Sequence, residues 1–259
     1  MRGMVRPAIS AVIPVRNRTG IRLDNCLRSL RWQALEPGAL EIVITDFGSA
    51  PEHAKGLREL AERHGAALVQ VETDAIWNRA RALNFGIQRA RGRYVFCTDA
   101  DMIFAPNFVA TLLETQAREQ GQAFVVCHCR DLPERLAEQP WTCDDFPELL
   151  AAAPFRKATG TGACQVALRE FFERVRGYDE GFAFWGQEDN DLRFRAGRSG
   201  LREIWVQEQT AMLHQWHPSE RGKKPLRKSL NDVRFHLTKR VTVKNWRGWG
   251  ERRRPLLLG

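Results

Sequence analysis

Two aspartates one residue apart, Asp99 and Asp101, close the apolar and β-branched run Tyr94-Val-Phe-Cys-Thr, and a second apolar stretch ends at Phe104 before Pro106. That composition predicts a buried strand with the acids at its C-terminal end. Paired carboxylates there repel each other, and a hard divalent cation, Mn²⁺ or Mg²⁺, relieves the repulsion because it takes oxygen ligands. Taken alone, an Asp-x-Asp is more often a turn with two solvated aspartates, so the rest of the chain has to decide. A second acidic group, Glu188-Asp189-Asn190-Asp191, follows Phe184-Trp185-Gly186-Gln187. It opens a predicted helix, whose N-terminal dipole keeps carboxylates ionised and able to accept a proton. Further on, His214 and His217 stand in Met212-Leu-His-Gln-Trp-His-Pro218.

The elements that must position these groups follow from periodicity. Short apolar strands are predicted at Ile9–Ile13, Leu40–Ile44 and Ala67–Val71, and helical spacing recurs over 21–32, 52–64 and 77–90. Loops begin at Pro14-Val-Arg16-Asn17 and at Thr45-Asp46-Phe-Gly48-Ser49. Alternating strands and helices imply a mostly parallel α/β sheet covered on both faces, whose carboxyl edge is where ligands bind. Residues 1–104 read as a nucleotide-binding half. The remainder, 105–217, is less regular, with a helix at 107–120, strands at 123–127 and 164–168, and a loop or short helices over 133–154. The glycine-rich Thr159-Gly-Thr-Gly-Ala163 lacks the lysine and spacing of a phosphate loop and is assigned no phosphate role.

The 259 residues suffice for one sizeable domain with an appendage. No apolar run reaches the length of a membrane span, and the N-terminus leads into a strand without a signal-peptide core, which places the protein in the cytoplasm. Six scattered cysteines show no zinc-type spacing and read as reduced core residues. Charge is uneven: residues 218–259 hold thirteen Lys/Arg against three Asp/Glu, a balance of +10, so the net +9 of the chain resides in this tail. A nucleic-acid partner would rest on the tail alone, and no specific one is expected. Leu226, Leu230, Val233, Leu237 and Val241 recur at helical spacing and predict an amphipathic helix. Its apolar side either packs on the body or makes peripheral contact with the inner face of a membrane.

Five segments in order resemble one family. The strand ends at Pro14-Val-Arg16-Asn17, Thr45-Asp46-Phe-Gly-Ser49 and Asp99-Ala-Asp101 are similar to those of family 2 glycosyltransferases of the GT-A fold. Trp77-Asn78-Arg79-Ala-Arg-Ala-Leu-Asn84-Phe-Gly86 and Phe184-Trp-Gly-Gln-Glu-Asp-Asn-Asp191 resemble motifs of β-1,4-galactosyltransferases, chondroitin polymerases and polypeptide N-acetylgalactosaminyltransferases. The likeness covers residues 8–217. Asn190 and Phe47 stand where acids are common in the family.

The resemblance implies a Rossmann-like GT-A domain that moves a Gal-, GalNAc- or Glc-type sugar from a UDP-sugar to a saccharide or glycoconjugate hydroxyl, with inversion. It implies that Pro14, Arg16, Asn17 and Asp46 line the base and ribose pocket, that Arg79 lies near the diphosphate, and that Asp99 faces the donor. It further implies Asp101 as a metal ligand with His214, for which His217 and Met212 are rivals. Trp185, Gly186, Glu188 and Asn190 would hold the acceptor, and Asp189, with Glu188 as its rival, would be the base. Two other readings compete: a nucleotidyltransferase acting on sugar phosphates, which would need a basic glycine loop after the first strand, and a non-catalytic binding protein of the same fold, which would not need all four acids.

Overall fold

The computed structural model describes residues 6–184, 186–218 and 225–251. The first half runs β1 (Ile9–Val15), α1 (Ile21–Arg31), β2 (Leu40–Phe47), α2 (Pro51–Arg63), β3 (Ala67–Val71), α3 (Arg79–Arg89), β4 (Tyr94–Cys97) and β5 (Met102–Phe104). The second runs α4 (Phe108–Arg118), β6 (Ala123–Val126), β7 (Arg130–Asp131), α5 (Phe146–Ala152), β8 (Gln165–Leu168), α6 (Arg169–Val175), α7 (Glu188–Arg198), β9 (Arg202–Trp205), β10 (Met212–His214) and α8 (Pro225–Thr238).

Seven strands form one sheet in the order β3-β2-β1-β4-β8-β6-β9. All are parallel except β8, which is antiparallel to both of its neighbours. This mixed, mostly parallel sheet flanked by helices has the α/β architecture expected, with one reversed strand that alternation alone does not reveal. A small sheet, β5-β10-β7, begins just past the carboxyl end of β4. Strand alternation divides the core into two layers: Ala11, Ile13, Ile42, Ile44 and Phe96 face one, and Val12, Val43, Val95 and Cys97 the other. Five of the six cysteines are buried and none is disulfide-bonded. Among the described residues no helix is long and apolar enough to cross a membrane.

Helix α3 sits directly on the sheet. A Cβ at Gly86 would come within 2.4 Å of a Val12 methyl and 2.5 Å of the Thr45 hydroxyl, so the close approach requires glycine. Asn78 caps this helix by accepting from the Arg81 amide at 2.8 Å, and its own amide donates to the Glu180 carbonyl at 2.9 Å. Asn84, fully buried, donates to the Tyr178 carbonyl and accepts from the Tyr178 amide. The Asn-Arg-Ala segment therefore serves as a clamp on the chain at 178–180, just before the second acidic group.

The basic tail packs against the body. Phe235 and Trp249 are buried, Arg234 pairs with Asp179 at 2.7 Å, and Lys244 pairs with Asp179 at 3.4 Å and with Asp191 at 3.2 Å. Asp191 in turn pairs with Arg195, both without solvent exposure, and Arg195 also donates to the Gly177 carbonyl. Buried charges tolerate this only when each is paired. The amphipathic helix forms, but Leu230, Val233 and Leu237 point away from the body.

Candidate active site

Because β1, β2 and β4 are parallel, their carboxyl ends bring three predicted segments to one edge. Pro14 lies opposite Thr45 and Val15 opposite Asp46. Asn17 donates its amide to the Ser49 hydroxyl and accepts from the Ala50 amide, both at 2.8 Å, which ties the two loops together. Asp46, buried, accepts from the Ser49 amide at 3.0 Å, and the Arg16 guanidinium holds the Ala75 carbonyl at 2.5 Å. Phe47, in place of an acid, is fully buried against Trp77 and Phe85. The reversed β8 starts at this same edge, where the Thr98 hydroxyl donates to the Ala163 carbonyl at 2.7 Å.

Beyond β4, Asp101 meets both histidines. Ligand atoms of Asp101, His214 and His217 all lie within 4.8 Å of one another, with His217 Nε2 at 3.3 Å and His214 Nε2 at 3.9 Å from the Asp101 carboxylate. Both histidines stand at the Asp101 carboxylate, whereas Met212 is fully buried in the core. Behind the group, Asp131 Oδ1 sits 3.1 Å from His214 Nδ1 and is itself held by Arg156 through both carboxylate oxygens. A carboxylate on the far ring nitrogen fixes a ligand histidine's tautomer and orientation. Burial alone would raise the Asp101 carboxyl, but the His217 hydrogen bond and the charges of His214, His217 and Arg18 bring it down to about 2. Two imidazoles and an ionised carboxylate suit Mn²⁺ better than Mg²⁺, which favours oxygen. Asp131 carried no signal in the sequence; only the tertiary pairing of the short strands β7 and β10 brings it to His214.

The second acidic group lies across one arginine from this edge. Arg79, buried, donates through Nε to Asp99 at 2.8 Å and through Nη2 to the Gly162 carbonyl at 2.7 Å, while its Nη1 lies 3.7 Å from Glu188. That Nη1 is buried and has no hydrogen-bond partner. Glu188 accepts from the Gly186 amide at 2.8 Å, and Asn190 holds the Gln187 side chain at 2.9 Å. Burial and the neighbouring Asp189 push the Glu188 carboxyl up to about 7 against the pull of Arg79. The approach to α7 is unusual backbone: Phe184 and Gln187 both have φ of 72° and Gly186 has 105°. Non-glycine residues in this region cost about 1 kcal/mol or more each and gather at functional sites. Trp185 lies outside the described residues.

A cavity of about 230 Å³ is lined by Arg79, Asp99, Arg156, Gly186 and the side chains of 187–190. Gly160 and Gly162 form part of its wall and Asp232 of α8 another part, neither of which carried a functional signal in the sequence. A larger depression of about 590 Å³ between β3, α3 and Gly250–Glu251 contains none of these groups.

The model of the glycosyl transferase family 2 matches residues 10–176, well over half of the chain. The chain belongs to this family. A second model, described as the N-terminal domain of galactosyltransferase, matches residues 152–217, the part that contains the Glu188–Asp191 group and both histidines. The chain is 36% identical over 171 residues to undecaprenyl-phosphate 4-deoxy-4-formamido-L-arabinose transferase of Pseudomonas aeruginosa (strain LESB58), covering 66% of this chain and 46% of that protein. It is 25% identical over 233 residues to validoxylamine A glucosyltransferase of Streptomyces hygroscopicus subsp. limoneus, covering 77% and 51%. The chain therefore spans about half the length of these curated relatives.

Among solved structures, GalNAc-T7 with UDP, GalNAc and Mn²⁺ superposes with a TM-score of 0.67 at 19% identity, covering 88% of this chain and 47% of that one. The mannosyltransferase PcManGT from Pyrobaculum calidifontis, in complex with GDP-Man and Mn²⁺, gives 0.62 at 22% identity, covering 88% and 63%. At these identities the likeness establishes the GT-A fold alone.

Proposed function

We propose that this glycosyltransferase moves a sugar of the Gal, GalNAc or Glc type from a UDP-sugar to a hydroxyl of a saccharide or glycoconjugate, with inversion at the anomeric carbon, in polysaccharide or glycoconjugate synthesis. The observation that carries the reading is the meeting, around Arg79, of a metal-ligand edge and a separate carboxylate pair. Asp101, His214 and His217 would hold Mn²⁺ or Mg²⁺, and the donor set fits because three ligand atoms converge and a carboxylate orients one imidazole. When bound, the cation neutralises charge that develops on the departing diphosphate.

The chain's own groups supply the rest. Pro14, Arg16, Asn17 and Asp46 form the rim that receives base and ribose. Arg79 keeps one buried N–H without a hydrogen-bond partner, which suits an anionic oxygen of the donor, and Asp99 fixes the guanidinium in place. Gly186, Glu188, Asn190 and, beside them, Trp185 receive the acceptor. Glu188, titrating near neutrality, donates a hydrogen bond to the acceptor when protonated. Asp189 takes the proton of the attacking hydroxyl, which approaches the anomeric carbon opposite the diphosphate.

Calorimetry of UDP and GDP with and without Mn²⁺ tests the donor side. The expected result is Mn²⁺-dependent binding of UDP that disappears in Asp101→Ala. A preference for GDP, or UDP binding that survives Asp101→Ala without metal, contradicts it.

A further inference from the structure

Helix α8 has two unlike faces. Inward, Asn231 and Phe235 are buried, Asn231 donates to the Ala183 carbonyl at 3.1 Å, and Arg234 pairs with Asp179. Outward, Leu230, Val233 and Leu237 are 67%, 56% and 78% exposed. Spaced three and four residues apart, they form a single stripe along the helix. In the chain after the helix, Val241, Val243 and Trp246 are also 50%, 49% and 74% exposed. Scattered exposed apolar residues are ordinary, but a concentration of six within 230–246 marks an interaction surface.

The stripe cannot roll inward. Turning α8 to bury it would break the Arg234–Asp179 pair and expose Phe235, and the following segment is pinned by Lys244 to Asp179 and Asp191. Arg240 and Arg247, in the chain that follows the helix, are exposed, and residues 218–259 together carry a balance of +10. Of the three acids in residues 218–259, Asp232 faces the cavity, where it accepts from Gln187 at 2.7 Å. A second copy of the chain would bring the same +10 tail against this one, whereas an anionic surface complements it.

We infer that this face docks on an anionic lipid bilayer. Leu230, Val233, Leu237 and Trp246 enter the boundary between headgroups and acyl chains, and Arg240 and Arg247 lie against lipid phosphates. Since Asp232 on the inner side of the same helix lines the cavity, docking brings the site close to the membrane surface. The inference does not depend on the donor or on the chemistry of transfer.

Flotation of the full chain with phosphatidylcholine vesicles, with and without phosphatidylglycerol, tests it. The chain is expected to float with the anionic vesicles at low salt, to be released by high salt, and to bind phosphatidylcholine alone weakly. Leu230→Ser/Val233→Ser/Leu237→Ser should weaken partition by about tenfold or more, because it removes buried apolar contact. Arg240→Glu/Arg247→Glu should do the same through charge, and it leaves the stripe intact should the serine variant fold poorly. Absence of binding to anionic vesicles overturns the inference, as does undiminished flotation of both variants. So does a wild-type dimer in solution that the serine variant converts to monomer, which would make a second copy the occupant. None of these results affects Mn²⁺-dependent UDP binding, so failure here is distinguishable from failure of the transfer reading.

Discussion

The molecule carries two acidic pairs at its site, and one carboxyl in each is pushed the opposite way from the other. Asp101 faces two histidines and is held down to about 2, whereas Glu188, buried beside Asp189, is pushed up to about 7. Like groups are thus held ionised at one edge and able to take up a proton near neutrality at the other. Arg79 stands between them and bonds to Asp99 on one side while facing Glu188 on the other. The difference comes from what packs against Asp101 and Glu188, not from the acids themselves.

Removing the arginine should collapse this separation. Arg79→Met leaves Glu188 and the partly exposed Asp99 without their counter-charge, and is expected to destabilise the fold by about 4 kcal/mol in urea unfolding at neutral pH. A loss no larger than that of an exposed arginine would show that the pairs do not communicate through it.

The contrast also predicts a pH dependence. Glu188 has its folded value raised from about 4.5 to about 7, so between these limits the native state holds a proton that the unfolded chain releases. Its contribution is full below pH 4.5, is lost as pH rises to 7, and is flat above, to a total of about 3 kcal/mol. Glu188→Gln should therefore gain stability relative to wild type across that window. A constant difference between the two proteins from pH 4 to about 8 would refute the raised value.

A smaller effect probes the other pair. Asp131→Asn keeps the shape behind His214 but removes the charge that orients it, so affinity for Mn²⁺ in the presence of UDP should fall about tenfold, as read by calorimetry. Unchanged affinity would mean that His214 is positioned by the β5-β10-β7 sheet alone.

The two halves differ in how much the sequence disclosed. Strands β1, β2 and β4 are continuous apolar runs that end in polar turns, so Asp46, Asp99 and Asp101 could be placed at one sheet edge from composition and alternation. The second half is assembled by contacts between distant segments. Strands β7 and β10 have two and three residues, too few for any periodicity, yet they align Asp131 with His214. The direction of β8, which makes Gly160 and Gly162 part of the cavity wall, depends on pairing rather than pattern. In the tail the apolar spacing gave the helix, which ends at Thr238 and leaves Val241 outside it. What it could not give is the face that packs, because the anchors are Asn231, Arg234 and Phe235 rather than the leucines.

Turnover of Asp189→Asn, measured with a UDP-sugar and acceptor alongside Glu188→Gln, tests the assignment of roles most directly. The amide keeps the shape of Asp189 and removes its basicity, so turnover should fall by about 10²–10⁴-fold while UDP and Mn²⁺ affinities stay near wild type. The product should have inverted anomeric configuration. Near-normal turnover in Asp189→Asn, or a product of retained configuration, would contradict the account.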